Sequence, residues 1–179
     1  MLESARSASG SAAAPMVAAA PPDTAEIVAL RDRLAQWMVE RGIQQWLPGE
    51  YPEDAVAAEV ARGEWFIWRA ESGALTAVAR LVWRDPDFWG ADDAEAGYIH
   101  GLMVAPEFRG NDLGARVVRF CAERTRSRGI GVQRLDFASD NPVLRKFYVA
   151  QGFREVRQAP LPERFRGNST VTLMEKLLD

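Results

Sequence analysis

The chain is predicted to fold as a single mixed α/β domain on one central sheet. Three observations predict it. Runs of strand composition alternate with segments whose apolar residues recur every three or four positions. One apolar run, residues 98–104, leads directly into a glycine-containing turn and then an amphipathic helix. The order of elements is helix, helix, three strands, helix, strand, helix, two strands. That order calls for crossover helices and puts the strand ending at Val104 in the centre. With 179 residues, 47% of them hydrophobic, the chain can bury one sizeable core.

The elements follow in order. Residues 1–22 are rich in Ala, Ser and Pro. That composition cannot offset the entropy of ordering, so the segment reads as a disordered tail, with Met16 to Ala20 as a candidate edge strand. The folded domain is expected over 23–179. In residues 24–41, Ile27, Leu30, Leu34, Trp37 and Met38 recur at helical spacing until Gly42 stops the run. Residues 52–62 form a second, short helix, with Pro52 at its start and Gly63 after its end. Residues 64–70 and 74–83 make a hairpin about Ser72-Gly73. A polar loop covers 84–96. Strand 98–104 precedes a helix over 113–128, with Leu113, Val117, Val118 and Cys121 on one face. A strand at 132–137, a helix at 142–151 and strands at 153–157 and 169–176 complete the chain. Asn141 is a natural N-cap for the last helix, with Pro142 at its first position.

Bulk properties narrow the function. A formal charge of −3 gives no nucleic-acid surface. No apolar run has membrane-spanning length, and the first residues lack the Leu-rich core of a secretion signal, so a cytoplasmic protein is expected. The one cysteine, Cys121, permits no internal disulfide, and its place on an apolar face reads as a buried hydrophobe. No metal site is expected. The turn Val104-Ala105-Pro106-Glu107-Phe108-Arg109-Gly110-Asn111-Asp112-Leu113-Gly114 is an anion site in outline. Free N–H groups and the positive end of the helix dipole meet where glycines let a phosphate approach. A phosphate-bearing ligand is therefore expected at residues 109–115.

Two motifs stand in order. The first is Arg109-x-x-Asp112-x-Gly114, preceded by Leu102-x-Val104-x-Pro106. The second is Asn141-x-x-Leu144-x-x-x-Tyr148-x-x-x-Gly152-Phe153. With the order of elements, they resemble the GNAT family of N-acetyltransferases over about 24–179. The resemblance implies a mostly antiparallel sheet of about six or seven strands, flanked by four helices and splayed at its centre. It implies acetyl-CoA as acyl donor, with its pantetheine arm on the backbone of Leu102, Met103 and Val104. The pyrophosphate would lie on the amides of Gly110, Asn111, Asp112, Leu113, Gly114 and Ala115, beside the Arg109 charge. Asn141 would touch the CoA arm as well as cap its helix. Tyr148 would protonate the leaving thiolate, and a neutral phenol suits that task. Read on their own, Arg109 also fits a surface arginine and Tyr148 plain core packing. Asp112 departs from the family, which usually has Gly there. Its carboxylate would repel phosphates and could satisfy the helix start itself, so weaker CoA binding is expected.

His100, the one histidine, lies on the strand before the turn. It reads either as the base that accepts the amine's proton or as a structural histidine on the sheet's other face. Tyr98, two residues earlier, shares its face. Trp46, between the first two helices, and Trp83, after the hairpin, are candidate acceptor contacts. Asp85, Asp87, Asp92, Asp93 and Glu95 could draw in a cationic amine, while Arg154, Arg157, Arg164 and Arg166 could favour an acidic group. The expected activity is direct acetyl transfer to the primary amine of a small molecule in a ternary complex, without nucleic acid or membrane. A homodimer is open from the resemblance. The alternative is a CoA-binding or protein-interaction module with little or no catalysis.

Overall fold

The computed structural model describes residues 15–43, 45–90, 95–161 and 170–179. The expectations placed on Asp92, Asp93, Arg164, Arg166, Ser169 and residues 1–14 lie outside the described residues. The elements are β1 (Val17–Ala18), α1 (Thr24–Val39), α2 (Glu53–Ala61), β2 (Trp65–Arg69), β3 (Leu75–Val82), α3 (Pro86–Trp89), β4 (Gly97–Val104), α4 (Leu113–Ser127), β5 (Val132–Ala138), α5 (Pro142–Ala150), β6 (Arg154–Pro160) and β7 (Thr170–Leu177). The strands form one sheet in the order β1-β2-β3-β4-β5-β7-β6. Every pairing is antiparallel except β4 with β5.

The candidate edge strand within Met16 to Ala20 is present, and among the described residues the one addition to the expected elements is a helix. Met16 is packed among Phe66 and Trp68 at 6% exposure. Val17 and Ala18 then pair with Ile67 and Phe66 at the sheet edge. A fifth helix, the single turn α3, interrupts the loop expected to be irregular, with Asp85 before it and Pro86 at its first position.

Strand alternation sorts the core. On one face α1 and α2 bring Ile27, Leu30, Leu34, Val56 and Val60 against Trp65, Ile67, Val78 and Met103. On the other, Val117, Val118 and Cys121 of α4 and Tyr148 of α5 cover Ala77, Ala79, Leu81, Ile99, Leu135 and Phe137. Each large apolar side chain buried this way contributes about 1.5–3 kcal/mol. Neighbouring elements approach closely where glycine leaves room. A Cβ on Gly97 would stand 2.1 Å from the Thr125 hydroxyl oxygen, and one on Gly114 would stand 3.1 Å from the Phe147 ring.

Two irregularities shape the centre. The β3–β4 register shifts between Val78 and Arg80, with one extra residue in β4. Gly101 sits in this bulge at φ +53°, and any Cβ there would meet the Trp65 ring at 2.7 Å. Ahead of it, on the opposite edge, β4 pairs with β5 only from Gly97 to Ile99. From His100 onward the β5-facing edge of β4 has no strand partner among the described residues, and the two strands diverge.

Candidate functional site

The divergence of β4 and β5 leads at one end to a cavity of about 380 Å³. Val104, Phe108, Arg109, Gly110, Asp112, Leu113, Gly114, Ala115 and Phe147 line it. The chain reaches α4 through a 3-10 turn, Pro106–Phe108, and then Gly110 at φ +84° and Asp112 at φ +56°. The Asn111 amide braces the turn by donating to the Phe108 carbonyl at 3.2 Å. The first amides of α4 have no intrahelical acceptor, and the Asp112 side chain does not cap them. That carboxylate turns outward to Arg119, Oδ2 to Nη2 at 3.3 Å. The expected competition at the helix start is therefore absent, and the amides stay open to an anion. Arg109 lies at the cavity with its guanidinium 4.4 Å above the Trp37 ring of α1. A planar cation on an aromatic face is held without losing its charge.

In the cleft the backbone of Leu102, Met103 and Val104 has its β5 side unpaired. The Met103 side chain is buried toward α1 and α2. The Asn141 side chain makes two bonds: Oδ1 accepts from the Leu144 amide at 3.1 Å, capping α5, and Nδ2 donates to Gln45 Oε1 at 3.2 Å. Gln45 belongs to the α1–α2 connection, so this bond ties that loop across the cleft. Tyr148 is packed among the rings of Phe137, Phe147 and Phe153, at centroid distances of 5.9, 5.0 and 5.8 Å. Burial, and then the nearby Asp136 and Cys121, hold the phenol well above its usual pKa, so it carries its proton at neutral pH. Cys121 is likewise pushed up, to about 12, by burial, and is no nucleophile.

His100 points to the α1–α2 face and lies between two carboxylates. Its Nε2 is 3.2 Å from Asp85 Oδ2, and its Nδ1 is 3.5 Å from Asp136 Oδ1. Asp85 precedes α3 and Asp136 lies on β5, so three elements converge. Among the described residues no other trio of metal-ligating types is this close. The nearest contacts run to opposite ring nitrogens, one carboxylate on each side of the imidazole. The Asp85 contact is a charge contact off the ideal hydrogen-bond direction, since Asp85 Oδ2 has no well-aligned hydrogen bond. Burial alone would discharge the ring, but Asp85 and Asp136 outweigh it and raise the imidazole above its usual pKa. Asp136 is itself pushed up to about 6, chiefly by burial, against the pull of His100.

Next to this cluster, Arg80 of β3 pairs with Glu59 at 3.0 Å and Glu64 at 2.7 Å. Glu59 also accepts from the Tyr51 hydroxyl at 2.5 Å and from Trp65 Nε1 at 2.8 Å. Arg31 lies over the rings of Trp46 and Tyr51, at 5.1 and 5.0 Å, which places Trp46 on the same face as His100.

Two acceptor candidates fall elsewhere. Trp83 continues the Ala79–Leu81 alternation, so it packs over α4 on the opposite face, with Arg128 4.4 Å above its ring. Tyr98 shares the face of His100 but is only 1% exposed. It is covered by Trp89 of α3, and its hydroxyl accepts from Arg134 at 3.1 Å. Of the candidate arginines, Arg154 pairs with Glu175 and Arg157 donates to the Phe88 carbonyl. Sequence reading passed over Asp136. Its only signal was an acid inside an apolar strand.

The family model described as the acetyltransferase (GNAT) family matches residues 31–153. The uncharacterized N-acetyltransferase YesJ of Bacillus subtilis (strain 168) is 32% identical, over 73% of this chain and 76% of its own. A GNAT family acetyltransferase from Listeria monocytogenes superposes with a TM-score of 0.73 at 24% identity, covering 92% of this chain and 94% of that one. The spermidine N-acetyltransferase of Vibrio cholerae, solved with CoA and spermine, gives 0.68 at 16% identity, over 91% and 94%. An open amide cradle at a splayed central sheet, together with these matches, places the chain in one family: it belongs to the GNAT acetyltransferases.

Proposed function

We propose that the protein transfers the acetyl group of acetyl-CoA to the primary amine of a small, cationic molecule, by direct attack within a ternary complex. The observation that carries this reading is the β4–β5 gap. One end opens on the uncapped amides of α4, and the other opens at His100 and Asp136. The unpaired edge at Leu102, Met103 and Val104 suits an extended, amide-bearing arm. The resemblance to a spermidine N-acetyltransferase and the acidic groups around His100 both support a cationic acceptor.

In the proposed step the neutral amine attacks the thioester carbonyl carbon, whose oxygen a backbone N–H near Val104 polarises. The carbon–sulfur bond breaks. The thiolate takes the Tyr148 proton, and the amine's surplus proton passes to His100. Solvent then reprotonates the phenolate and receives the proton from His100, which returns the site to its starting state.

Thiol release from acetyl-CoA, followed with a panel of polyamines, arylalkylamines and amino acids, tests the reading. Tyr148→Phe is expected to lower kcat at least tenfold, within the range of general-acid catalysis, with CoA affinity by calorimetry nearly unchanged. CoA binding without thiol release across the panel would favour a non-catalytic module. Full turnover by Tyr148→Phe would remove Tyr148 from the step.

A further inference from the structure

We infer that Asp85 and Asp136 are positioning residues for His100, one carboxylate on each ring nitrogen, clamping the imidazole at the mouth of the β4–β5 gap so that the three side chains act as one proton-accepting unit.

The placement is not incidental to the fold. Ile99 and Leu135 are the last paired residues of β4 and β5, so His100 and Asp136 face one another at the first position past the pairing. Asp136 is an ionisable group between the buried Leu135 and Phe137. Asp85 is 8% exposed. Two carboxylates this deep are costly unless a cation stands between them, and the ring does. Among the described residues, the groups that pack around the cluster from the neighbouring elements have partners of their own. From β3, Arg80 is held by Glu59 and Glu64. From β4, the Tyr98 hydroxyl accepts from Arg134 of β5, which pairs with Glu175 of β7 at 3.0 Å. From α5, Tyr148 lies near Asp136 as a neutral phenol. From α3, Phe88 adds only its ring, 6.0 Å from that of His100.

The clamp has two consequences. It fixes the ring plane, because a rotation that improves one contact loses the other. It also leaves the protonated unit with a net charge of −1, which attracts an ammonium. The ring must release a proton before it can accept one, so turnover rises with pH along an acid limb that belongs to the cluster as a whole. The kinetic half of the inference rests on His100 being the proton acceptor proposed above. The clamp itself does not.

The experiment uses the fact that the chain has one histidine. With any affinity tag removed, the imidazole resonances are followed by NMR from pH 4 to 9 in the parent, Asp85→Asn and Asp136→Asn. The parent is expected to titrate above a free imidazole, and each variant about one unit lower than the parent. Asp136→Glu, which restores the charge, is expected to recover most of the shift, and Asp85→Asn serves alone if Asp136→Asn does not fold. Folded variants whose midpoint stays at the parent value would overturn the clamp. The acid limb of kcat/KM is then compared. A limb that moves down with the NMR midpoint supports the whole inference. A midpoint that moves while the limb stays fixed keeps the clamp and overturns His100 as acceptor.

Discussion

Asp112 holds φ +56°, the one left-handed backbone among the described non-glycine residues. That conformation costs about 1 kcal/mol or more for a side chain and little for glycine. Its ion pair with Arg119 is exposed on both sides and returns almost nothing. Asp112→Gly is therefore expected to leave stability within about 1 kcal/mol of the parent and to tighten CoA binding about threefold, through loss of a charge near the phosphates. Calorimetry with CoA checks this; equal affinities would mean that the carboxylate field does not reach the ligand. The cradle around Asp112 was legible in the sequence because its parts are contiguous: one strand end, one turn, one helix start. The clamp was not, since Asp85, His100 and Asp136 meet only through the register of β4 on β5 and the turn of α3. Trp83 was misplaced for a related reason: pleat parity along β3 decides its face, and a tryptophan beside a loop does not reveal that parity.

At the scale of the element, α5 shows one side chain serving two ends. Asn141 caps the helix through its oxygen and reaches Gln45 through its nitrogen. Asn141→Ala is expected to cost about 1 kcal/mol, read as a lower urea midpoint with unchanged slope. Asn141→Asp keeps the acceptor and loses the donor, so it should retain most of that stability; an equal loss in both variants would show that the tie to Gln45, and not the cap, carries the energy. The long elements were legible because their apolar spacing spans several turns or pleats, as in α1, α4 and β4. The single turn α3 is too short to show a period and is marked only by Asp85-Pro86. β6 runs on to Pro160 because β7 offers it partners from Thr170, a pairing no local pattern announces.

For the whole molecule, the buried cluster sets a pH dependence of opposite sign to that of paired surface carboxylates. His100 and Asp136 both have raised pKa values, Asp136 at about 6, so the folded chain keeps protons that the unfolded chain gives up. Their contribution is complete below the unfolded values and is lost as pH rises through the folded ones. Glu26 and Glu64, lowered by their arginine partners, act the other way but only below about pH 4.5. The denaturant midpoint is thus expected to be higher at pH 5.5 than at pH 8, with the difference shrinking in Asp136→Asn; a parent midpoint that climbs across this window would contradict the assignment. The bulge at Gly101 carries a last consequence for the molecule. Ahead of it the even-numbered Tyr98 and His100 share a face with Val82 and Arg80; after it the odd-numbered Met103 takes that side, opposite Val78. The strand thus keeps two phases joined by one surplus position. Loss of a single codon there would act on the pleat as a frameshift acts on a message, because every downstream side chain as far as Val104 would trade its interior for its neighbour's, and the turn into α4 would begin half a period out of step.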